Sequence, residues 1–338
     1  MSDSFHIAGV SIAGRVLLAP MSGVSDLPFR RAASRLGAAY VATEMVACET
    51  LAQGRADVVR RAARSDEIPL TVIQLVGRET QWLARGARIA EESGADIIDI
   101  NMGCPAREVT GGLSGSALMR DLDQAERLIA ATVNATSRPV TLKMRLGWDC
   151  ASMNAPELAA RAEGAGIRAI TVHGRTRQQF FKGVSDWRAV ASVKAATRLP
   201  VIVNGDIVDA ATAREALAQS GADAVMIGRA ALGKPWIARA VASALQSGGE
   251  LTEPDLDARL PIILEHFRHS LAFYGDRLGL KTFRKHLARY IEDAPLAMSP
   301  ITRRGAKAHL CALNDPSAVE RELTALWRSN ETGAALAA

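Results

Sequence analysis

Ala95-Asp96-Ile97-Ile98-Asp99-Ile100-Asn101-Met102-Gly103-Cys104-Pro105 runs from a β-forming stretch straight into a turn that carries a thiol. Ile97, Ile98 and Ile100 favour a strand, because branched side chains pack well on a pleated surface. Gly103 then permits a sharp backbone path, and Pro105 fixes φ and withdraws an N–H from further pairing. The strand therefore ends near Asn101 and the thiol sits where the loop begins. Residues 107–116 follow with Gly111, Gly112 and Gly115, a glycine density that predicts a loop able to move over the thiol. Cys104 reads either as a reactive group or as a small buried residue filling a strand end, a frequent fate of free cysteine.

The same pattern of an apolar run followed by a helical period recurs along the chain. Strands are expected at residues 15–20, 40–44, 70–76, 96–101, 140–145, 169–173, 200–204 and 224–228, with helices at residues 26–36 and 79–93 among the connections. Alternation of this kind implies a parallel sheet, since each crossover must return to the same end of the next strand. Eight such units predict an α/β fold, a (β/α)8 TIM barrel. Gly37-Ala38, Gly94-Ala95, Gly166-Ile167 and Gly221-Ala222 stand where helices end and the chain turns back. In such a barrel chemistry collects at the carboxyl ends of the strands. Those ends are Pro20-Met21-Ser22, Gln74, residues 101–104, Lys143 and Arg145, His173-Gly174-Arg175, Asn204-Gly205-Asp206 and Gly228-Arg229, nearly all polar or glycine.

After Gln246-Ser247-Gly248-Gly249 the composition changes, and residues 252–328 show helical periodicity without strand-like runs. The chain thus divides into a barrel at residues 1–246 and a small C-terminal all-helical domain at residues 250–330. Within the latter, Leu280, Phe283, Leu287 and Tyr290 share one helix face, while Lys281, Arg284, Lys285 and Arg289 share another. One stripe packs; the other is a basic ridge, extended by Arg303, Arg304 and Lys307. Residues 331–338 are expected to fray.

The chain has 338 residues, 48% of them hydrophobic, enough for one large barrel with an appendage. Its four cysteines lie far apart with no C-x-x-C pair, which argues against a zinc cluster or a disulfide framework and fits a reducing cytoplasm. The first twenty residues carry Asp3, His6 and Arg15, so they read as neither signal peptide nor membrane span. A formal charge of +5 permits a polyanionic partner without requiring one. Residues 277–307 concentrate that charge, with eight basic residues against two acids.

Asn204-Gly205-Asp206 and Gly228-Arg229 end the last two strands, where a barrel commonly holds a phosphate on loop N–H groups and an arginine. The alternative is that both glycines simply begin helices. Lys143 stands in an otherwise apolar strand, and an unpaired buried cation is costly, so an anion is expected to face it. His173 ends the sixth strand beside Arg175, either as part of that site or as a satisfied core histidine.

Leu18-Ala19-Pro20-Met21, Ile73-Gln74-Leu75, Asn101-Met102-Gly103-Cys104-Pro105, Lys143-Met144-Arg145, His173-Gly174-Arg175-Thr176, Asn204-Gly205-Asp206-Ile207 and Met226-Ile227-Gly228-Arg229 occur in that order. In this they resemble the tRNA-dihydrouridine synthase family, bacterial B-like group, over almost the whole chain. Ser22-Gly23 departs from the Ala-Gly of many members. The resemblance implies a flavin-dependent oxidoreductase that reduces the C5=C6 bond of uridines in tRNA with FMN and NADPH or NADH. It implies FMN held by Pro20, Met21, Ser22, Gln74, Lys143, His173, Asn204, Gly205, Asp206, Gly228 and Arg229, with Cys104 as proton donor.

The residues suit that chemistry. Hydride delivered to C6 of uracil leaves an enolate-like C5 that needs a proton, and a cysteine is mostly protonated at neutral pH. Asn101 is a candidate for the uracil edge or for capping the loop, and Arg175 joins it as a substrate contact. The target base must leave its stack to reach the pocket, so RNA needs a groove outside, for which Lys281, Arg284, Lys285 and Arg289 are the candidates. The expected protein is monomeric and cytoplasmic, with no metal and no membrane contact. Two other readings share parts of this pattern: a barrel acting on a free pyrimidine, such as a dihydroorotate dehydrogenase, and an RNA-binding flavoprotein without catalysis.

Overall fold

In the computed structural model, which describes residues 4–335 and their side chains to residue 329, the eight strand-like runs close into one parallel barrel. A hairpin comes first, β1 (Ser4–Ile7) and β2 (Val10–Ala13), followed by β3 (Val16–Leu18), α1 (Leu27–Arg35), β4 (Val41–Ala47), α2 (Cys48–Ala52) and α3 (Ala56–Arg61). The series continues with β5 (Thr71–Val76), α4 (Thr80–Glu92), β6 (Ile97–Met102), α5 (Arg107–Thr110), α6 (Leu122–Val133), β7 (Val140–Arg145), α7 (Ala155–Gly164) and β8 (Ile170–His173). It ends with α8 (Trp187–Ala195), β9 (Val201–Asn204), α9 (Ala210–Ser220), β10 (Ala224–Ile227) and α10 (Ile237–Ser247). The order around the barrel is β10-β3-β4-β5-β6-β7-β8-β9. The second barrel strand runs further than expected, to Ala47, because its register shifts between Ala42 and Met45.

Side chains alternate across a strand, so every second residue points into the barrel. Low in the barrel these are apolar: Leu17, Tyr40, Ala42, Val72, Ile97, Ala169, Ile202, Ala224 and Met226 form one cluster. The outward set, including Leu18, Ile73, Ile98, Ile100, Leu142 and Val203, joins the helices in a separate core. Higher up, the same inward positions become Gln74, Asp99, Asn101, Thr141, Lys143, Thr171 and Asn204, and this polar layer is the floor of the candidate site.

The hairpin is not expected from the sequence. Its strands are only four residues each, and Phe5, Ile7 and Ile12 alternate with polar neighbours over too short a span to stand out. These three side chains are buried against the low barrel cluster and plug its amino-terminal end.

Beyond the barrel lie α11 (Leu256–Tyr274), α12 (Asp276–Asp293), α13 (Pro300–Ala312) and α14 (Pro316–Ala335). Phe267, Leu280, Phe283, Leu287, Tyr290, Leu323 and Trp327 give these helices their own core. The joint with the barrel is aromatic: Phe29 of α1 stacks on His286 at 5.3 Å and faces His266 at 6.0 Å. The fraying expected at residues 331–338 is corrected to residue 335, to which α14 continues; residues 336–338 lie outside the described residues. No helix among the described residues is long and apolar enough to cross a membrane.

Ile12 is 1% exposed and seals the barrel floor. Ile12→Ala is expected to cost about 2–5 kcal/mol by leaving a cavity. Urea unfolding checks this, with a lower midpoint at unchanged slope as the expected result.

Candidate active site

Strand β6 delivers its polar residues to a chain of hydrogen bonds that ends at the thiol. Thr141 Oγ1 donates to Asp99 Oδ1 (2.6 Å), and Gln74 Nε2 donates to Asp99 Oδ2 (2.6 Å). Asn101 Nδ2 donates in turn to Gln74 Oε1 (2.7 Å), while Asn101 Oδ1 accepts from Gly103 N (3.1 Å) and Cys104 N (2.9 Å). Asn101 is thus oriented by Gln74 and caps the loop that carries Cys104. Of the two roles open to it, capping is the one its hydrogen bonds within the protein make. Gln74, 1% exposed and bonded at both ends of its amide, acts first as the relay between Asp99 and Asn101. Burial pushes the Asp99 carboxyl up, against hydrogen bonds from Thr141 and Gln74 and the charge of Lys143.

Cys104 is half-buried. Burial pushes its thiol up, and an Ala106 backbone hydrogen bond together with Arg145 and Lys143 offsets this only in part. Its carbonyl accepts from Ser116 N (3.1 Å) and Ser116 Oγ (2.8 Å), which ties the loop back on itself. Among the glycines of the loop expected to move, one serves close packing. Gly115, at φ 59°, has no room for a side chain, since a Cβ would lie 2.8 Å from Val109 and 2.9 Å from the Cys104 carbonyl oxygen.

Four cations, Lys143, Arg145, Arg175 and Arg229, surround His173, and the first two also act on the thiol. Lys143 Nζ donates to Asn204 Oδ1 (2.9 Å), and Asn204 is itself held by its amide on Met226 O (2.7 Å). Burial pushes the Lys143 ammonium down to about 8, which leaves it mostly protonated at neutral pH. Arg145, 1% exposed, donates from Nε to Gly103 O (2.8 Å) and from Nη1 to Thr176 O (2.9 Å) and Phe180 O (2.8 Å). Arg175 donates to Lys182 O, Gly183 O, Asp206 and His173 Nε2, so four of its five N–H groups are used inside the protein. It is also 1% exposed, and these bonds give it a positioning role. Because a guanidinium can only donate, His173 accepts at Nε2 and carries its proton on Nδ1. Burial, with Arg145, Lys143, Arg175 and Arg229 around it, holds His173 well below the ordinary histidine value, hence neutral.

Asp206, at φ 55°, accepts from Arg175, from Ser185 N (2.9 Å) and from Arg229 (3.1 Å). Burial pushes this carboxyl up, but these partners outweigh it and keep it below the ordinary carboxylate value. As an anion it is no phosphate ligand through its side chain; it aims Arg229, whose side chain is 61% exposed and reaches the open rim. Pro20, Met21 and Ser22 join the same rim, since Ala19 N donates to Ile227 O (2.8 Å) and Met21 N to Ser25 Oγ (2.9 Å).

The arrangement fits the flavin phosphate that the resemblance implies. Four cations face two carboxylates, Asp99 and Asp206, and a Cβ placed on Gly228 would meet nothing within 4 Å. Lys143 has donors beyond the one that Asn204 accepts. An anion therefore finds both charge and space there. Among the described residues no group of three or more His, Cys, Asp or Glu could hold a metal ion.

The basic ridge is not one surface. Arg284 donates to Leu313 O (3.0 Å) and Asn314 (2.8 Å), and Arg289 pairs with Glu292 (3.0 Å). Lys307 also pairs with Glu292, while Arg303 donates to carbonyls beyond the end of α12, including Ala294 O (2.6 Å). Arg284 thus ties α12 to the segment after α13, while Arg289 pairs with acids of its own helix. Lys285 instead lies at the mouth, its Nζ 2.5 Å from where a Gly23 Cβ would stand. Residues 277, 281 and 285 are four apart, so they step by about 40° and form one row that leads there. Arg277 and Lys281 are exposed and have no acidic partner among the described residues.

A dihydrouridine synthase (Dus) family model matches residues 17–315. A probable tRNA-dihydrouridine synthase of Rhodobacter capsulatus is 50% identical over 90% of this chain and 91% of its own length. One of Rhizobium leguminosarum bv. phaseoli is 48% identical over 93% of this chain and 95% of its own. The tRNA-dihydrouridine synthase B of Xanthomonas axonopodis pv. citri is 44% identical over 86% and 87%. Among solved structures, a morphinone reductase variant in complex with tetrahydroNAD has a TM-score of 0.51 at 16% identity, covering 76% of this chain and 93% of that one. Histamine dehydrogenase from Rhizobium sp. 4-9 has a TM-score of 0.56 at 12% identity, covering 79% and 50%. These two share the fold.

A thiol whose value is raised stays protonated further up the pH scale. Iodoacetamide labelling of Cys104, followed by mass spectrometry, is expected to rise at pH above the ordinary thiol range. Lys143→Met is expected to move that rise higher still, because it removes a charge that favours the thiolate. A rise below the ordinary range would contradict the geometry.

Proposed function

The chain belongs to the dihydrouridine synthase family, and from that premise we propose that it is a tRNA-dihydrouridine synthase, a flavin-dependent oxidoreductase that reduces the C5=C6 bond of uridine in tRNA. The observation that carries the reading is the Cys104 thiol at the open end of the barrel, kept protonated by burial with Arg145 and Lys143 beside it. FMN bound at that rim would supply the hydride, drawn from NADPH or NADH, that C6 of the base receives. The rest is work for the chain's own residues.

Cys104 donates its proton to C5, so that hydride and proton together complete 5,6-dihydrouridine. Arg145 and Lys143 favour the thiolate left behind, and the half-buried site lets water return the proton. Asn101 holds the Cys104 N–H and so sets where the thiol points. Lys143, neutral His173, the Asn204-Gly205-Asp206 turn and Gly228-Arg229 form the proposed cofactor cradle, with Pro20, Met21, Ser22 and Gln74 along its edge. Residues 1–246 act as the FMN-binding catalytic barrel and residues 250–330 as the tRNA-binding unit, working as a cytoplasmic monomer. Support for RNA over a free pyrimidine comes from the row Arg277, Lys281 and Lys285, which a small substrate would not need. The retained Cys104 and Lys143 speak against a non-catalytic RNA binder.

Cys104→Ala is expected to keep FMN and to accept hydride from NADPH, yet to lose about 10²- to 10⁴-fold in tRNA reduction, the usual worth of a positioned acid. Reduction at the normal rate would make Cys104 a packing residue. Changing Arg277, Lys281 and Lys285 together to Gln is expected to weaken tRNA binding and to lower its salt slope by roughly one for each phosphate no longer neutralised. Arg284→Gln with Arg289→Gln is expected to lower thermal stability and leave that slope unaltered. Equal slopes in all three proteins would mean that the row is merely solvated.

A further inference from the structure

Phe180 and Phe181, on the loop between β8 and α8, are 41% and 42% exposed, and Val184 on the same loop is 77% exposed. A protein in water does not commonly set large apolar side chains side by side at the rim of its site without a partner. The loop is also held in a costly shape. Phe180 has φ 54°, in the left-handed region that bulky residues avoid, and Arg145 keeps it there by donating to its carbonyl at 2.8 Å. The two rings meet edge to face at 4.7 Å, and Phe181 lies 6.5 Å from the His173 ring. Arg145 and Arg229 approach Phe181 at 5.6 and 5.1 Å.

The place of this loop in the barrel says what can reach it. In the closed strand order, β8 stands three strands from β3 and lies on the other side of the barrel mouth from it. The helical unit and Lys285 approach the mouth from the other side, at Gly23 between β3 and α1. A strand of RNA held on the Lys285 row with one base in the mouth would cross to the aromatic loop. Exposed aromatic faces flanked by guanidinium groups suit unpaired bases, which stack without regard to sequence while cations meet the phosphates.

We infer that Phe180 and Phe181 form a stacking platform on the far wall of the mouth, taking a nucleobase next to the target uridine. The inference rests on the proposed action on tRNA and adds a second contact region to it. Arg145 sets the platform's position relative to the thiol, since the same guanidinium holds Gly103 O and Phe180 O.

The test uses the holoenzyme, an in vitro tRNA transcript, and the variants Phe181→Ala, Phe180→Ala with Phe181→Ala, and Phe181→Trp. Phe181→Ala is expected to weaken tRNA binding about tenfold, and the double variant further. The slope of affinity against salt is expected to stay the same, because no phosphate contact is removed. Phe181→Trp is expected to restore binding. Variants that bind as tightly as a wild-type enzyme active on tRNA would overturn the platform alone. A wild-type protein that does not reduce tRNA would remove the functional reading and the platform with it. Loss of FMN in Phe181→Ala, or a raised KM for NADPH without change in tRNA affinity, would assign the ring to flavin or nicotinamide and overturn the inference.

Discussion

The Arg145 guanidinium is the tie on which the mouth of the barrel depends. It is buried, and burial lowers it to about 10, yet it bridges carbonyls of Gly103, Thr176 and Phe180 that belong to two different loops. Burying a cation costs free energy unless its donors are satisfied. Here the donors do structural work that no apolar side chain could, since three carbonyls converge on one planar fork. The thiol loop and the aromatic loop are therefore positioned by one group. A shift in either would leave a buried charge unpaired.

A second constraint is the polar layer beneath. Asp99, Gln74 and Asn101 come from neighbouring strands β5 and β6, and the parallel register sets Gln74 opposite Asp99. Register and hydrogen bonding thus reinforce each other. The chain of bonds transmits the rigidity of the barrel wall to the Cys104 N–H, so the thiol inherits its direction from the sheet. Across the barrel, Asp206 does the equivalent for Arg229, holding an exposed arginine by a carboxylate that Arg175 and Ser185 have already fixed. Both sides place a reactive or binding group by means of a buried neighbour.

Much of this is legible from the order of residues. The stretch 140–145 reads as a strand in sequence and is one, and the seven strand ends named by their polar and glycine residues all lie at the open end. The hairpin at Ser4–Ile7 and Val10–Ala13 is not legible, because strands of four residues carry too little periodicity. Asp99 and Thr141 do not stand out in sequence either. Their two-residue spacing from Asn101 and Lys143 is the signal that could have found them, since it places all four inside the barrel. The charge on α12 reads in sequence as one ridge, although Arg284 lies off the four-residue row 277, 281 and 285, and Arg289, the next step of that row, is paired with Glu292.

By itself the sequence determined the class of fold, the identity of the strand-end residues and the presence of a thiol at a strand-to-loop turn, because these follow from local periodicity and backbone chemistry. Only the tertiary structure decided what each polar group is free to do. Asn101, Arg175 and Arg284 look like ligands in sequence, and each makes most of its hydrogen bonds within the protein. Phe180 and Phe181 carry no signal in sequence and are exposed. The physical reason is that availability depends on which other groups arrive within about 3 Å, and those come from strands and loops remote in the chain.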